Sequence, residues 1–323
     1  MVDIRDTHGK IIYRDETENL VRADLEKSNL QDAYLRSAVL YRVNLKGANL
    51  CGADLRGANL TGANLEGADL SKTTLIGANL TGANLKNAVF KRADCNSVLF
   101  SGADMTGCDL SDIDFTGSNF EGSNLTNARL IRCNLENLVM HHAKLVSADL
   151  SEARMIGVKL QKAILLDASL EKADLESAHM MHCNLSGAYL KEAIMRGALL
   201  RGANLEGANL EKAIMHNVAL DEANLTRARL VKASLVRASL VSANLSQANL
   251  KEAVLDAAEL NFANLQGANF QLTELTGAKL KSARFSSETA FPDYIVPERI
   301  GLVYTALPTS QEETSPDAEP DTK

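Results

Sequence analysis

The chain has 323 residues, 46% of them hydrophobic but only 4% aromatic, with no Trp, so any core must be built from small and medium side chains. It has no apolar run of eighteen residues, and its opening MVDIRDTHGK has neither the basic start nor the apolar stretch of a secretory signal; the expectation is a soluble, cytoplasmic protein. The formal charge of −7 lies in the ends: residues 1–19 hold five acids and three bases, residues 286–323 eight acids and two bases, and the stretch between sums to +1. Five cysteines without CxxC spacing read as reduced thiols and argue against a zinc site.

Residues 1–19 precede any periodic pattern. Within KIIYRDETENL (10–20) the alternation reads as a short strand and turn, suited to capping the edge of a repetitive body.

From Leu20 to Phe285 every fifth residue is apolar: 54 positions without a slip, 41 of them Leu. Two residues earlier, 39 of 53 positions are Ala. On an α-helix five residues turn about 500°, which would smear the leucines around the cylinder. On a flat strand an odd period sends successive leucines to opposite faces. They share an interior only if the chain turns a corner once per word, with Leu and the small residue pointing inward and Gly easing the corner.

The word, as in GANLCGADLRGANLTGANLEGADL (47–70), resembles that of the pentapeptide repeat family, over more than four-fifths of the chain. That resemblance implies an all-β fold: a right-handed quadrilateral β-helix, four words to a coil, of about thirteen coils. It divides the chain into an N-terminal cap (1–19), the β-helix (20–285), a C-terminal cap (286–307) and a tail (308–323). Residues twenty apart should then stack. Asn184, Asn204, Asn224, Asn244 and Asn264 would form a ladder, and the row Arg92, Asp112, Arg132, Glu152, Lys172, Glu192, Lys212 alternates in sign at every coil.

After Phe285 the period breaks. ETAFPDYIVPERIGLVYTAL brings aromatics and prolines, resembles the Phe-Pro caps of some family members, and places Pro297 where it suits the first turn of a short helix. The tail PTSQEETSPDAEPDTK is acidic and poor in apolar residues, a composition expected to be disordered.

No nucleotide-binding loop, nucleophile elbow or HExxH is present, and a Leu/Ala-filled interior offers no cleft. The expectation is a protein that is not an enzyme, with no catalytic residue, cofactor or metal. His142 and His182 share a row but lie two coils apart, about 9.6 Å, too far for one zinc.

Departures from the word concentrate between 90 and 140, where Phe90, Cys95, Phe100, Phe115 and Phe120 replace Leu, and Ile113, Ser118 and Leu138 replace Ala. The reading is compensation: Phe115 fills volume that Cys95, stacked on it, leaves free. The same stretch carries Asp94, Asp109, Asp112 and Asp114 as an acidic belt, with Asp94 stacked on Asp114. Far along the rod Arg227, Arg229, Lys232 and Arg237 form a basic belt with no acid between 223 and 251, flanked by Val231, Val236 and Val241 in outward positions. Solvated faces account for both belts by default; the valines make the basic belt the better interaction candidate.

The function expected is a non-catalytic scaffold presenting flat faces to a protein partner, with a homodimer through an end cap as a further option and no membrane partner. The resemblance supplies the alternative. Some family members mimic duplex DNA and bind a type II topoisomerase such as gyrase; the near-neutral repeat body disfavours that here. Four bases on one belt are a small footprint for nucleic acid, which is disfavoured too.

Overall fold

The structure, a computed structural model, describes residues 2–15 and 19–306. From Leu20 onward each five-residue word is a two-residue turn and one bridging residue between two inward side chains. Between Asp24 and Arg284 the bridges within the repeats are parallel and join residues twenty apart, as in Asn44↔Asn64 and Asn204↔Asn224, so four words close one coil. The ladder is built from backbone groups: Leu60 N–H donates to the Asn79 carbonyl at 2.8 Å, and Asn79 N–H to the Ala58 carbonyl at 2.9 Å. Each coil thus satisfies the backbone of its neighbour, as buried amides require.

The corner has its own chemistry. Ala58 N–H closes a turn onto the Leu55 carbonyl at 3.0 Å, and the residue before it, Gly57, has φ of 62°. A positive φ at the third turn position, with Arg56 before it outside the left-handed region, matches a type II turn, which explains why Gly recurs there. It is not obligatory: Lys72 and Asp112 occupy the same position at φ 57° and 64°. Where an Asn or Asp precedes the Leu it can accept a backbone N–H two residues on, as Asn79 does from Thr81 at 3.0 Å, an Asx turn that braces the corner.

Inside, the Leu and Ala columns are closed to solvent; Leu205 is 0% and Ala203 1% exposed. Burying each leucine contributes about 1.5–3 kcal/mol relative to leaving it in water.

At the first end, β1 (Val2–Arg5) and β2 (Ile11–Asp15) form an antiparallel hairpin. The hairpin lies over one side of the first coil, where Tyr34 N–H reaches the Arg5 carbonyl at 2.7 Å. At the other end β3 (Arg284–Phe285) pairs in parallel with β4 (Val303–Tyr304). Between them runs a 3-10 helix, Pro297–Ile300, closed by Gly301 at φ 79°. Phe291 stacks on Phe270 with ring centroids 5.6 Å apart and docks this segment on the last coil. The acidic segment 308–323, expected to be disordered, lies outside the described residues.

From Asp24 to Asn264 a bridge forms at every fifth residue with one omission, Asp94 to Asp114. The two aspartates share a row, but their strands are not bridged, which corrects the simple stack that the period predicts. Cys95 and Phe115 are both fully buried beside this gap. Phe115 is fully buried, wedged edge-on against Phe120 at 5.1 Å between centroids, and Phe120 stacks on Phe100 at 4.8 Å. Ile113 fills a slot that elsewhere holds Ala, one coil on from Ala93, which is only half-buried. Overfilled cores respond by shifting backbone.

Candidate interaction surface

With the interior filled, chemical variety sits on the outward positions and the turns. The Asn ladder is present: Asn224 donates to Asn204 at 2.9 Å and Asn264 to Asn244 at 3.0 Å, while Asn244 turns aside to Thr226 Oγ1 at 2.8 Å. Of the alternating row, Asp112–Arg132 and Glu192–Lys212 are in contact, at 2.7 and 3.5 Å.

The acidic belt is exposed but not uncompensated. Asp109 faces Arg129 at 3.2 Å and Asp112 faces Arg132, both one coil on. Asp114 accepts from Thr116 Oγ1 at 2.6 Å and from Asn134 Nδ2 at 2.9 Å. The Arg132 guanidinium holds the Asp112 carboxyl below its ordinary range, and the Thr116 hydroxyl does the same for Asp114. At Asp109 partial burial opposes ionisation, yet the Ser111 hydroxyl and backbone N–H, with Arg129, keep its pKa low. Asp94, half-buried, accepts from Asn96 Nδ2 at 2.7 Å.

The basic belt changes more. No acid lies near it in sequence, but acids from neighbouring coils reach it in space. Arg229 pairs with Glu211 at 2.8 Å, Lys232 with Glu252 at 3.3 Å and Arg227 with Glu206 at 3.8 Å. Among the described residues Arg237 alone of the four shows no ion pair within 4 Å. Val231, Val236 and Val241 are half-buried rather than exposed. Ion pairs thus engage three of the four bases and leave Arg237 among the valines without one within 4 Å among the described residues.

Sequence reasoning missed the apolar groups at the C-terminal end. Leu272 is 69% exposed and Phe262 58%, each at a positive-φ turn position (φ 58° and 63°) where bulky apolar side chains are uncommon. Tyr294 is 63% exposed, though its hydroxyl donates to the Thr273 carbonyl at 2.7 Å. A groove of about 410 Å³ runs between Lys251, Gln271, Leu272, Phe291, Pro292, Asp293 and Tyr294. The signal for Leu272 and Phe262 was available: each is an apolar residue in a place the word reserves for Gly or a polar residue. A second hollow, of about 340 Å³, lies between Val89, Lys91, Asp109, Ser111 and Asp112, beside the missing bridge.

The cysteines are free; Cys51 is half-buried and the other four are buried. Cys108, Cys133 and Cys183 stand in Ala slots, and burial raises each thiol to about 12. Each donates to a carbonyl 23 residues earlier, at 3.0, 2.9 and 2.8 Å. Among the described residues no three His, Cys, Asp or Glu side chains gather as metal ligands, and no helix is long and apolar enough to cross a membrane.

These features define a β-helix-type solenoid built from one short word. The chain belongs to the pentapeptide repeat family: the family model for pentapeptide repeats (8 copies) matches overlapping segments from residue 19 to 217 and from 219 to 287. Among solved structures it is similar to HetL, a pentapeptide repeat protein involved in heterocyst differentiation regulation from Nostoc sp. strain PCC 7120. The identity is 28% over 74% of this chain and 90% of that one, with a TM-score of 0.32. It is also similar to alr5209 from Nostoc PCC 7120, at 34% identity over 32% of this chain and 84% of that one, TM-score 0.31. QnrB1, a plasmid-mediated fluoroquinolone resistance protein, is 17% identical over 66% of this chain and 93% of that one, TM-score 0.27. No curated protein sequence matches the chain.

Proposed function

We propose that this protein is a non-catalytic scaffold, a right-handed quadrilateral β-helix of about thirteen coils that presents flat outer faces to a protein partner. The observation carrying this reading is the closed interior: the Leu and Ala columns leave no internal cleft among the described residues, so recognition falls to the outside. Rigid stacked repeats with variable outward residues suit an extended protein surface better than a small ligand. The partner-facing region is the basic belt around Arg237, whose guanidinium has no ion pair among the described residues and where Val236 adds apolar area. Affinity capture from a lysate with wild type and with R237E tests this. Partners that wild type captures and R237E loses support the belt; an unchanged set of partners removes it.

The apolar C-terminal end favours a second reading, a homodimer through that cap. Leu272 and Tyr294 expose large apolar area beside each other on one groove. Light scattering decides it: a dimer in wild type that becomes a monomer in L272E supports the reading, and a monomeric wild type at 100-micromolar concentrations (roughly the range where weak interfaces form) ends it.

A further inference from the structure

The one missing bridge is the centre of a wider defect. Three backbone bonds that the ladder makes elsewhere fall outside hydrogen-bond geometry between residues 92–95 and 111–114: Arg92 N–H to Ser111 O, Cys95 N–H to Asp114 O, and Asp114 N–H to Ala93 O; Val89 and Asp109 still bridge beside them. The ladder resumes on both sides, at Asn87–Thr106 (3.1 Å) and Ser97–Thr116 (2.9 Å). Next to the defect the Ser118 hydroxyl stands inside a turn. It accepts Val98 N–H at 2.9 Å and donates to the Cys95 carbonyl at 2.7 Å, replacing the turn bond found in other words.

We propose that this is a built-in joint: the coils carrying residues 92–95 and 111–114 part along this one side, as a local opening that precedes unfolding of the rest of the rod. Three features act together. Ile113 in an Ala slot and Phe115 stacked on Cys95 overfill the space between the two coils. Asp94 and Asp114 face each other on one row, like charges that oppose pairing, and each is held sideways by Asn96 and Thr116 instead. The hollow lined by Val89, Lys91, Asp109, Ser111 and Asp112 opens the site to solvent. Solenoid stability is a sum of neighbour interfaces, so one weakened interface localises the opening and leaves two stiff segments, a shorter N-terminal and a longer C-terminal one.

Cys95 reports the opening, because its side chain is fully buried behind the defect and belongs to the joint, whereas Cys183 is equally buried in an intact part of the ladder. The experiment is thiol labelling of the full chain under native conditions, mapped by peptide mass spectrometry. Each rate is normalised to that of the same cysteine in denaturant, for wild type, I113A and F115L. The joint predicts labelling of Cys95 at least tenfold faster than Cys183 in wild type. It also predicts that the ratio falls toward one in I113A or F115L, which restore the ordinary word. Equal rates for Cys95 and Cys183 in wild type, or a ratio unchanged in both variants, would overturn it.

Discussion

Arg132 holds the Asp112 carboxylate of the preceding coil through two nitrogens, Nε to Oδ1 at 2.7 Å and Nη2 to Oδ2 at 2.8 Å. Both residues sit at the corner, and Asp112 takes a left-handed backbone to do so. The pair fixes two coils in register rather than adding much stability, since it is exposed on both sides.

The pair has a pH signature. The folded pKa of Asp112 is depressed by Arg132, so its contribution to stability is complete above the unfolded value of about 3.9 and is lost as pH falls through the lower folded value. NMR titration of Asp112 should give a midpoint below that value in wild type and a higher one in R132A. Identical midpoints would show that the fork does not form in solution.

Leu205 tests the inward column. Leu205→Ala should cost about 2–5 kcal/mol, the range for a fully buried leucine. Leu205→Asp should unfold the surrounding coils by placing a charge among leucines. Unchanged melting and circular dichroism in Leu205→Asp would contradict the inward assignment.

Tyr294 tests the cap. Its hydroxyl donates to Thr273 O and accepts Leu275 N–H at 3.2 Å, giving the last turn of the solenoid a backbone partner. Tyr294→Phe should destabilise by about 1 kcal/mol per hydrogen bond lost and raise exchange of the Leu275 amide. An unaltered Leu275 exchange rate would show that the hydroxyl does not hold the cap.

The DNA-mimic alternative has a direct assay. With a repeat body at +1, the protein should leave gyrase supercoiling and quinolone poisoning unchanged at micromolar concentrations (about 1–10 µM, where moderate complexes form). Inhibition or protection would reverse the assignment.

How far the sequence could be read depended on offsets. Stacking at twenty is a consequence of a strict five-residue word and four-sided coils, and it places Asp112 beside Arg132 from residue numbers alone. Ion pairs at other offsets escaped it. Arg229 reaches Glu211, eighteen residues back, and Arg201 reaches Glu222, twenty-one on, because long side chains lean across the corner instead of pointing straight along the rod. A charge count along the chain therefore missed that three bases of the belt, Arg227, Arg229 and Lys232, are paired in space. The defect at Asp94–Asp114 was half legible. Phe115, Ile113 and Cys95 announce a departure, but whether excess volume is absorbed or opens the ladder depends on how the neighbours give, which residue identity alone does not determine.

Twenty residues make one coil, and every other assignment rests on that number; paired cysteine cross-linking tests it most directly. In a Cys51→Ser background, cysteines replacing Asn204 and Asn224 stand on bridged residues of one row. Stacked strands bring such residues to about 4.8 Å, within reach of a disulfide. A twenty-residue coil predicts rapid cross-linking of the 204/224 pair under mild oxidation and little or none for 204/219 or 204/229. Equal cross-linking of either offset pair, or none for 204/224, would contradict the coil.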